Sequence, residues 1–404
     1  TDVLIIGGGM TGSCLAIALA NVGIKSVIVD KKAQNFQTNE IFDGRTSALA
    51  SASVKMLKQI GVWEHLSEQT CPILDIRVSD NKSHLFLHYD HHDVGEGPLG
   101  FMTENRHFRR ALFNQINDLD NIYYCAPVIL KHVLRTKNSV KAFLNNKVEI
   151  NANIMVGADG RHSNVRTTAG IDVTKWNYNQ VAIVFAVEHE FSHNNIAHEH
   201  FLPGGPFAIL PLLGEKDLNN RSSIVWVEKS KIANSILALP QDDFTNVFSQ
   251  RFGDYLGRIT DISPRTAFPL SFQCAETSVA NRLALIGDAA HGMHPIAGQG
   301  LNMGLRDVAA LAQVFADSRR IGLDIGSMRV LEDYENWRKF DNMLMLAMTD
   351  TLNRLFSNDV FIIKSLRDIG LASINKIRPV KKFLMRQAMG SVDNSPRLLN
   401  GETL

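Results

Sequence analysis

The sequence predicts an α/β protein: a Rossmann-like parallel sheet with an inserted, mostly antiparallel β-sheet and helices toward the C-terminus. Three observations predict it. A continuous apolar run at residues 2–6 enters the glycine-rich turn Gly7-Gly8-Gly9-Met10-Thr11-Gly12 and then a small-residue stretch, 13–21, in the order strand, turn, helix. Two later apolar runs, 154–156 and 283–286, end in Gly157-Ala158-Asp159-Gly160 and Gly287-Asp288. Between them, stretches such as Ile183-Val184-Phe185-Ala186-Val187 and Ser223-Ile224-Val225-Trp226-Val227 are rich in strand-forming residues and suggest antiparallel pairing.

The bulk composition narrows the function. A chain of 404 residues, 45% of them hydrophobic, is long enough for more than one domain around a large core. With 42 Lys and Arg against 41 Asp and Glu, the net charge is +1, so no overall basic field supports wholesale nucleic-acid binding. The four cysteines, Cys14, Cys71, Cys125 and Cys274, are far apart and form no CxxC pair, which argues against a disulfide framework or thiolate zinc site and fits a reducing compartment. No apolar run approaches the ~18 residues of a spanning helix, and no charged leader precedes the first strand, so a soluble or peripheral protein is expected.

In the opening turn each glycine has a task. Gly7 permits the tight turn, Gly9 lets backbone N–H groups approach a pyrophosphate, and Gly12 lets the helix pack closely on the strand; the helix N-terminus then faces negative charge. A second apolar strand, 26–29, ends at Asp30, whose carboxylate can accept from a ribose hydroxyl. This unit points to a dinucleotide but does not separate NAD from FAD, and the alternative is a glycine-rich turn in an ordinary α/β sheet. The chain then leaves the βα pattern for a loop, 33–45.

The later turns narrow the choice. Asp159 stands at a strand end beside Arg161 and Arg166, where it can order the backbone around a phosphate-bearing cofactor; taken alone, an Asp-Gly turn is only a turn. Residues 287–304, GDAAHGMHPIAGQGLNMG, form a second glycine-rich loop that a plain NAD dehydrogenase does not need. In it, His291 and His294 either tune proton transfer or hold the turn.

Together, GGGMTG at 7–12, DGRHSNVR at 159–166 and GDAAHGMHP at 287–295 resemble the three motifs of the FAD-dependent aromatic hydroxylases, the class that includes p-hydroxybenzoate hydroxylase. More narrowly, HPIAGQGLNMG at 294–304 and GPFAILPL at 205–212 resemble signatures of the ubiquinone-biosynthesis hydroxylases. The likeness extends to about residue 390.

The resemblance implies one FAD held at two anchors. Gly7, Gly9, Gly12 and Asp30 serve its adenosine diphosphate end, and Gly287, Asp288, Gly300, Leu301 and Asn302 its ribitol and flavin, with Asp288 on a ribitol hydroxyl. A helix from about residue 301 then aims its first N–H groups at the flavin pyrimidine. Arg45 and Asp159 lie against the cofactor, Asn105 faces the isoalloxazine edge with Arg106 as the competing register, and Val128 presents its backbone to the adenine. The loop with Pro295, Gly298, Gln299 and Gly300 stands near the reacting ring, and no side-chain acid or base is assigned. The FAD-binding domain is implied to be discontinuous, 1–72, 98–172 and 277–340; residues 73–97 and 173–276 form the substrate domain and 341–404 a C-terminal helical region.

The implied activity is insertion of one oxygen atom from O2 into the ring of a polyprenylated phenol, with NADPH or an electron-transfer protein as reductant. Implied with it are membrane contact and a quinone-synthesis complex, on the cytoplasmic face of the inner membrane in a bacterium or the matrix face in a mitochondrion. The alternatives are hydroxylation of a soluble aromatic compound, reduction of a prenyl chain, and a non-catalytic FAD-bound scaffold. No GxSxG elbow supports hydrolysis.

Two features lie outside these motifs. His84, His88, His91 and His92, with Asp90 and Asp93, invite a metal but lack helical i, i+4 spacing, so no metal is assigned and they are expected to be solvated. Leu344, Met348, Leu352, Leu355 and Phe356 recur at helical spacing, and Lys376, Arg378, Lys381, Lys382 and Arg386 surround Phe383, Leu384 and Met385. That last segment suits either an anionic bilayer or a partner helix, or packs on its own domain.

Overall fold

A computed structural model describes every residue except 34–40, 81–85, 96, 215–218, 295–297, 357–378, 380–384, 388 and 391–393. Its centre is a six-stranded sheet in the order Val279–Ala280, Leu283–Leu285, Ile154–Gly157, Val3–Ile6, Ser26–Val29 and Ile122–Cys125. All neighbours are parallel except the first pair. Val3, Leu4 and Ile5 have no exposed surface, because both faces of the sheet are covered. On one face pack the helices Met10–Ala20, Asn105–Asn117 and Gln299–Arg320; on the other lies an antiparallel layer of Leu130–Arg135, Val140–Leu144 and Glu149–Ala152.

Each central parallel strand delivers a motif at its carboxyl end. Val3–Ile6 leads to Gly7, Ser26–Val29 to Asp30, Ile154–Gly157 to Asp159 and Leu283–Leu285 to Gly287 and Asp288. Parallel register therefore gathers residues almost 300 positions apart at one sheet edge, where open α/β sheets hold ligands.

Over this edge lies a nine-stranded sheet built on Val173–His189, Ile196–Leu202, Gly205–Leu212, Arg221–Lys229 and Thr266–Ala275. Asp75–Asp80 and Phe86–Asp90 extend it, the former pairing in parallel with Ile196–Leu202. One face buries Ile183, Phe185, Phe207 and Trp226 against Phe244, Phe248 and Phe252 of the helix Gln241–Phe252. The other face, carrying Ala182, Val184, Val225 and Ala208, is turned to the cavity described below. A small antiparallel sheet of Thr46–Ala50, Gly100–Glu104 and Thr70–Ile73 completes the wall.

The helix Met328–Phe356 buries Asn342, Met345, Leu346 and Thr349, while Leu344 and Met348 are half-buried. The side chains of Leu352, Leu355 and Phe356 lie outside the described residues, as do Lys376, Arg378, Lys381, Lys382, Phe383 and Leu384. Met385 does not join an exposed basic surface: it is 2% exposed and lines the cavity, while Arg386 beside it is exposed.

Candidate active site

A single cavity of about 670 Å³ runs from the carboxyl edge of the parallel sheet to the nine-stranded roof. At one end it is lined by Gly9, Met10 and Thr11 of the opening turn, and further along by Gly287, Asp288 and the stretch from Gly298 to Asn302. The two turns touch: a Cβ placed on Gly304 would lie 3.0 Å from the Thr11 hydroxyl, and one on Gly287 3.2 Å from it.

The opening turn depends on missing side chains. Gly7 adopts φ +109°, and a Cβ on Gly12 would lie 2.0 Å from the Gly7 carbonyl oxygen, so the helix packs here only without a side chain. At Gly9 a Cβ would meet nothing within 4 Å, leaving the backbone open on the cavity side. Asp30 accepts from the Gly8 N–H at 2.6 Å and the Lys32 N–H at 2.7 Å, which ties the second strand end to the turn.

The second turn is held by buried charge. Asp307, with no exposed surface, accepts from the Gly287 N–H (2.9 Å), His291 Nε2 (2.6 Å) and Arg338 Nε (2.9 Å). Arg338 also binds Asp341, which pairs with Arg306. Burial by itself would raise the Asp307 carboxyl, but His291 and Arg338 hold it down to about 2. His291 thus holds the turn. His294 is fully buried, its ring 5.2 Å from Tyr178, and both ring nitrogens lack a hydrogen-bond partner among the described residues. Burial pushes it down to about 4, with Asp350 opposing, so it is neutral at pH 7.

The other expected residues fall into two groups. Arg45 and Asn105 line the cavity; Arg45 is paired with Asp43, and Asn105 accepts from the Ser47 hydroxyl at 2.6 Å. Arg106 instead binds Glu104 at 2.6 Å, which resolves the register in favour of Asn105. Gly298 takes φ +60° as N-cap of the helix Gln299–Arg320, and a Cβ on Gly300 would meet nothing within 4 Å. Gln299 and Leu301 line the same stretch. Asn302 lines it too, but its carboxamide is committed elsewhere: Oδ1 accepts from the Ala50 N–H and Ser53 hydroxyl, and Nδ2 donates to the Ala48 carbonyl. Asp159 caps the helix Asn164–Thr168 through the N–H groups of Asn164 and Val165, and Val128 donates to the Asp30 carbonyl; neither side chain is among those lining the cavity. Arg166 is buried and donates to the Ala289 carbonyl at 2.7 Å, linking the middle motif to the last. Pro295 lies outside the described residues.

Sequence reading missed Thr11, Asp307, Arg338 and Glu199. For Asp307 a signal existed: an acid within the small apolar run of Leu305-Arg306-Asp307-Val308-Ala309-Ala310 needs a buried partner. His84 is outside the described residues. Ligand atoms of Asp75, His88 and Asp90, and separately of Asp90, His91 and His92, lie within 4.8 Å of one another; His88 pairs with Asp75 at 3.3 Å and His92 with Asp90 at 2.8 Å. Only His92 is exposed; His88 and His91 are half-buried.

These features fit FAD. The helices Met10–Ala20 and Gln299–Arg320 both begin at the cavity with no side-chain cap, so their first N–H groups and positive dipole ends remain for an anion or carbonyl. Two such ends on one cavity suit a long ligand with charge at one end and a polar ring at the other.

The comparisons agree. The family model "FAD binding domain" matches residues 1–339. The ubiquinone hydroxylase UbiL of Rhodospirillum rubrum is 46% identical over 406 residues, covering 100% of this chain and 93% of that protein. The 3-demethoxyubiquinol 3-hydroxylase of Escherichia coli is 31% identical over 393 residues, covering 96% of this chain and 98% of its own length. Among solved structures, p-nitrophenol 4-monooxygenase PnpA of Pseudomonas putida shares the fold with a TM-score of 0.79 at 16% identity, over 96% of this chain and 98% of that one. The chain belongs to the FAD-binding domain family of flavin-dependent monooxygenases, in the group that contains the ubiquinone hydroxylases.

Proposed function

We propose that this protein hydroxylates the aromatic ring of a polyprenylated phenol in ubiquinone biosynthesis. The observation that carries the reading is the continuity of the cavity: the space beside the two cofactor turns opens without a break under a roof of Ala182, Val184, Val225, Val227, Ala208 and Leu210. An apolar roof suits a ring with a prenyl tail and excludes water from the reaction. The cavity's two cations among the described residues are already engaged, Arg45 with Asp43 and Arg161 with the Ser271 hydroxyl and carbonyl, so a soluble aromatic carboxylate finds no waiting counter-ion. Hydroxylation of such a compound is therefore the weaker alternative.

In this reading the N–H groups after Gly9 receive the pyrophosphate, Asp30 the adenosine ribose and Asp288 a ribitol hydroxyl, with Arg45 and Asn105 along the cofactor. FAD, when bound, supplies the oxygen chemistry, with O2 as co-substrate and NADPH or an electron-transfer protein as reductant. The chain's own part is to hold the ring against the Gly298 turn, to keep water out, and to place the uncapped helix N-terminus where negative charge develops. Residues 1–72, 98–172 and 277–340 act as the cofactor domain, 73–97 and 173–276 as the substrate domain, followed by 341–404. No helix among the described residues is long and apolar enough to cross a membrane. The lipid-tailed substrate is then collected at the membrane surface, or from a quinone-synthesis complex on it.

The test is to extract quinone intermediates from a bacterial strain lacking its own ring hydroxylases, with and without this gene. A polyprenylated species that gains one oxygen atom supports the assignment, and its structure fixes the ring position. An unchanged lipid profile, with the protein folded and yellow, refutes it.

A further inference from the structure

The cavity roof is apolar with one acidic exception. Val184, Val225, Ala208 and Glu199 are register partners across four adjacent strands, and all four line the cavity. In the neighbouring row Leu210 and Ala197 lie near Ile76, whose cross-strand partner is Tyr89; Tyr89 lines the cavity as well. The cavity has two acidic side chains among its described residues. Asp288 belongs to the cofactor turn, and Glu199 to the roof.

Glu199 is also close to the reacting end. Ala197, two residues away on the same face, shares an apolar cluster with Ala48, and a Cβ on Gly298 would lie 3.2 Å from the Ala48 Cβ. Two strand residues span about 7 Å, roughly one aromatic ring with its substituent. Burial, with the Glu199 charge adding to it, pushes the Tyr89 hydroxyl up to about 12, so Tyr89 is a neutral hydrogen-bond donor at any working pH.

We propose that Glu199 and Tyr89 form a polar anchor for a hydroxyl group on the substrate ring, and that this pair makes the site select a neutral phenol over an aromatic carboxylate. The phenol O–H donates to the Glu199 carboxylate, and its oxygen accepts from Tyr89. Donation to a carboxylate leaves the ring more electron-rich, which favours attack on it, and no proton need leave the phenol. The same negative charge repels a carboxylate at that position. This inference rests on the phenol reading above and deepens it.

The experiment uses the FAD-loaded protein and two probes, 2-geranylphenol and its methyl ether, with binding followed by the change in flavin absorbance. Hydrogen bonds to a charged group are worth about 1.5–3 kcal/mol, so the wild type is expected to prefer the phenol by roughly 10- to 100-fold. In Glu199→Gln the preference should shrink to a few-fold, and binding of 4-hydroxybenzoate should improve; Tyr89→Phe should narrow the preference by a smaller factor. A preference unchanged in both variants overturns the proposal. If the wild type binds both probes equally, the anchor is wrong while the phenol reading stands; if it binds neither, both fall. Should Glu199→Gln fail to retain FAD, Tyr89→Phe and the wild-type comparison still decide.

Discussion

The two glycine-rich turns meet at Thr11 and line one cavity, yet they are held in opposite ways. Around Gly7 and Gly12 the backbone packs on itself, with no room for a Cβ, and the shape follows from what is absent. Around Gly287 the same closeness depends on side chains brought from afar: Asp307 from the following helix, Arg338 from the next, and Arg166 from the middle motif. A turn made by omission depends on its own few residues. A turn made by buried charge depends on the assembled protein, and breaking a buried pair leaves an uncompensated charge.

The largest effect is therefore expected at the second turn. Asp307→Asn strips the counter-charge from Arg338 and His291 and should cost about 3–5 kcal/mol, read as a fall in the urea midpoint with loss of bound flavin. Gly12→Ala attacks the first turn and should cost about 3 kcal/mol through overpacking, with FAD lost as the helix shifts. Equal and small effects of the two changes would break the contrast.

Acid provides a third comparison, since only the second turn contains histidine. His294 is held at about 4 in the folded protein against 6.5 when unfolded, so the unfolded chain takes up its proton first. The stability held at neutral pH is lost as pH falls from 6.5 toward 4, at about 1.4 kcal/mol per unit for this one residue and roughly 2 kcal/mol at pH 5. His189, pushed down to about 4 chiefly by burial, adds a similar slope from the nine-stranded sheet. His294→Phe should remove one share of that slope, seen in urea midpoints at pH 7, 6 and 5; an unchanged slope would mean that His294 is already charged or solvated. The smallest change in stability is expected for Gly9→Ala, within about 0.5 kcal/mol because its Cβ meets nothing within 4 Å. That Cβ occupies the cofactor's side of the turn, so the Kd for FAD should still rise by about tenfold or more, measured by flavin titration of the apoprotein.

Legibility in the sequence followed the same divide. The parallel strands at 3–6, 26–29 and 154–157 and the first turn were readable because short apolar runs and glycine spacing act within a few residues. Of the site, Gly9, Arg45, Asn105, Asp288 and Gly298 do line the cavity as expected. Asn302 was placed on the cofactor, but its carboxamide fastens the helix to the strand Thr46–Ala50, a task invisible without knowing that residues some 250 positions apart are neighbours. Met385 read as part of a surface segment and is in the cavity wall, because the charges around it in sequence say nothing of the face its own side chain takes.

The sequence by itself determined the dinucleotide turn, the parallel core and the presence of a second glycine loop, since glycine placement and apolar runs act through sterics and burial along a short stretch of chain. Only the tertiary structure decided that the two loops share one cavity, that Asp307 and Arg338 hold the second, and that Glu199 stands on an otherwise apolar roof. Those facts arise from strand register and helix packing between distant segments, and no local pattern encodes the meeting of residues that the chain keeps far apart.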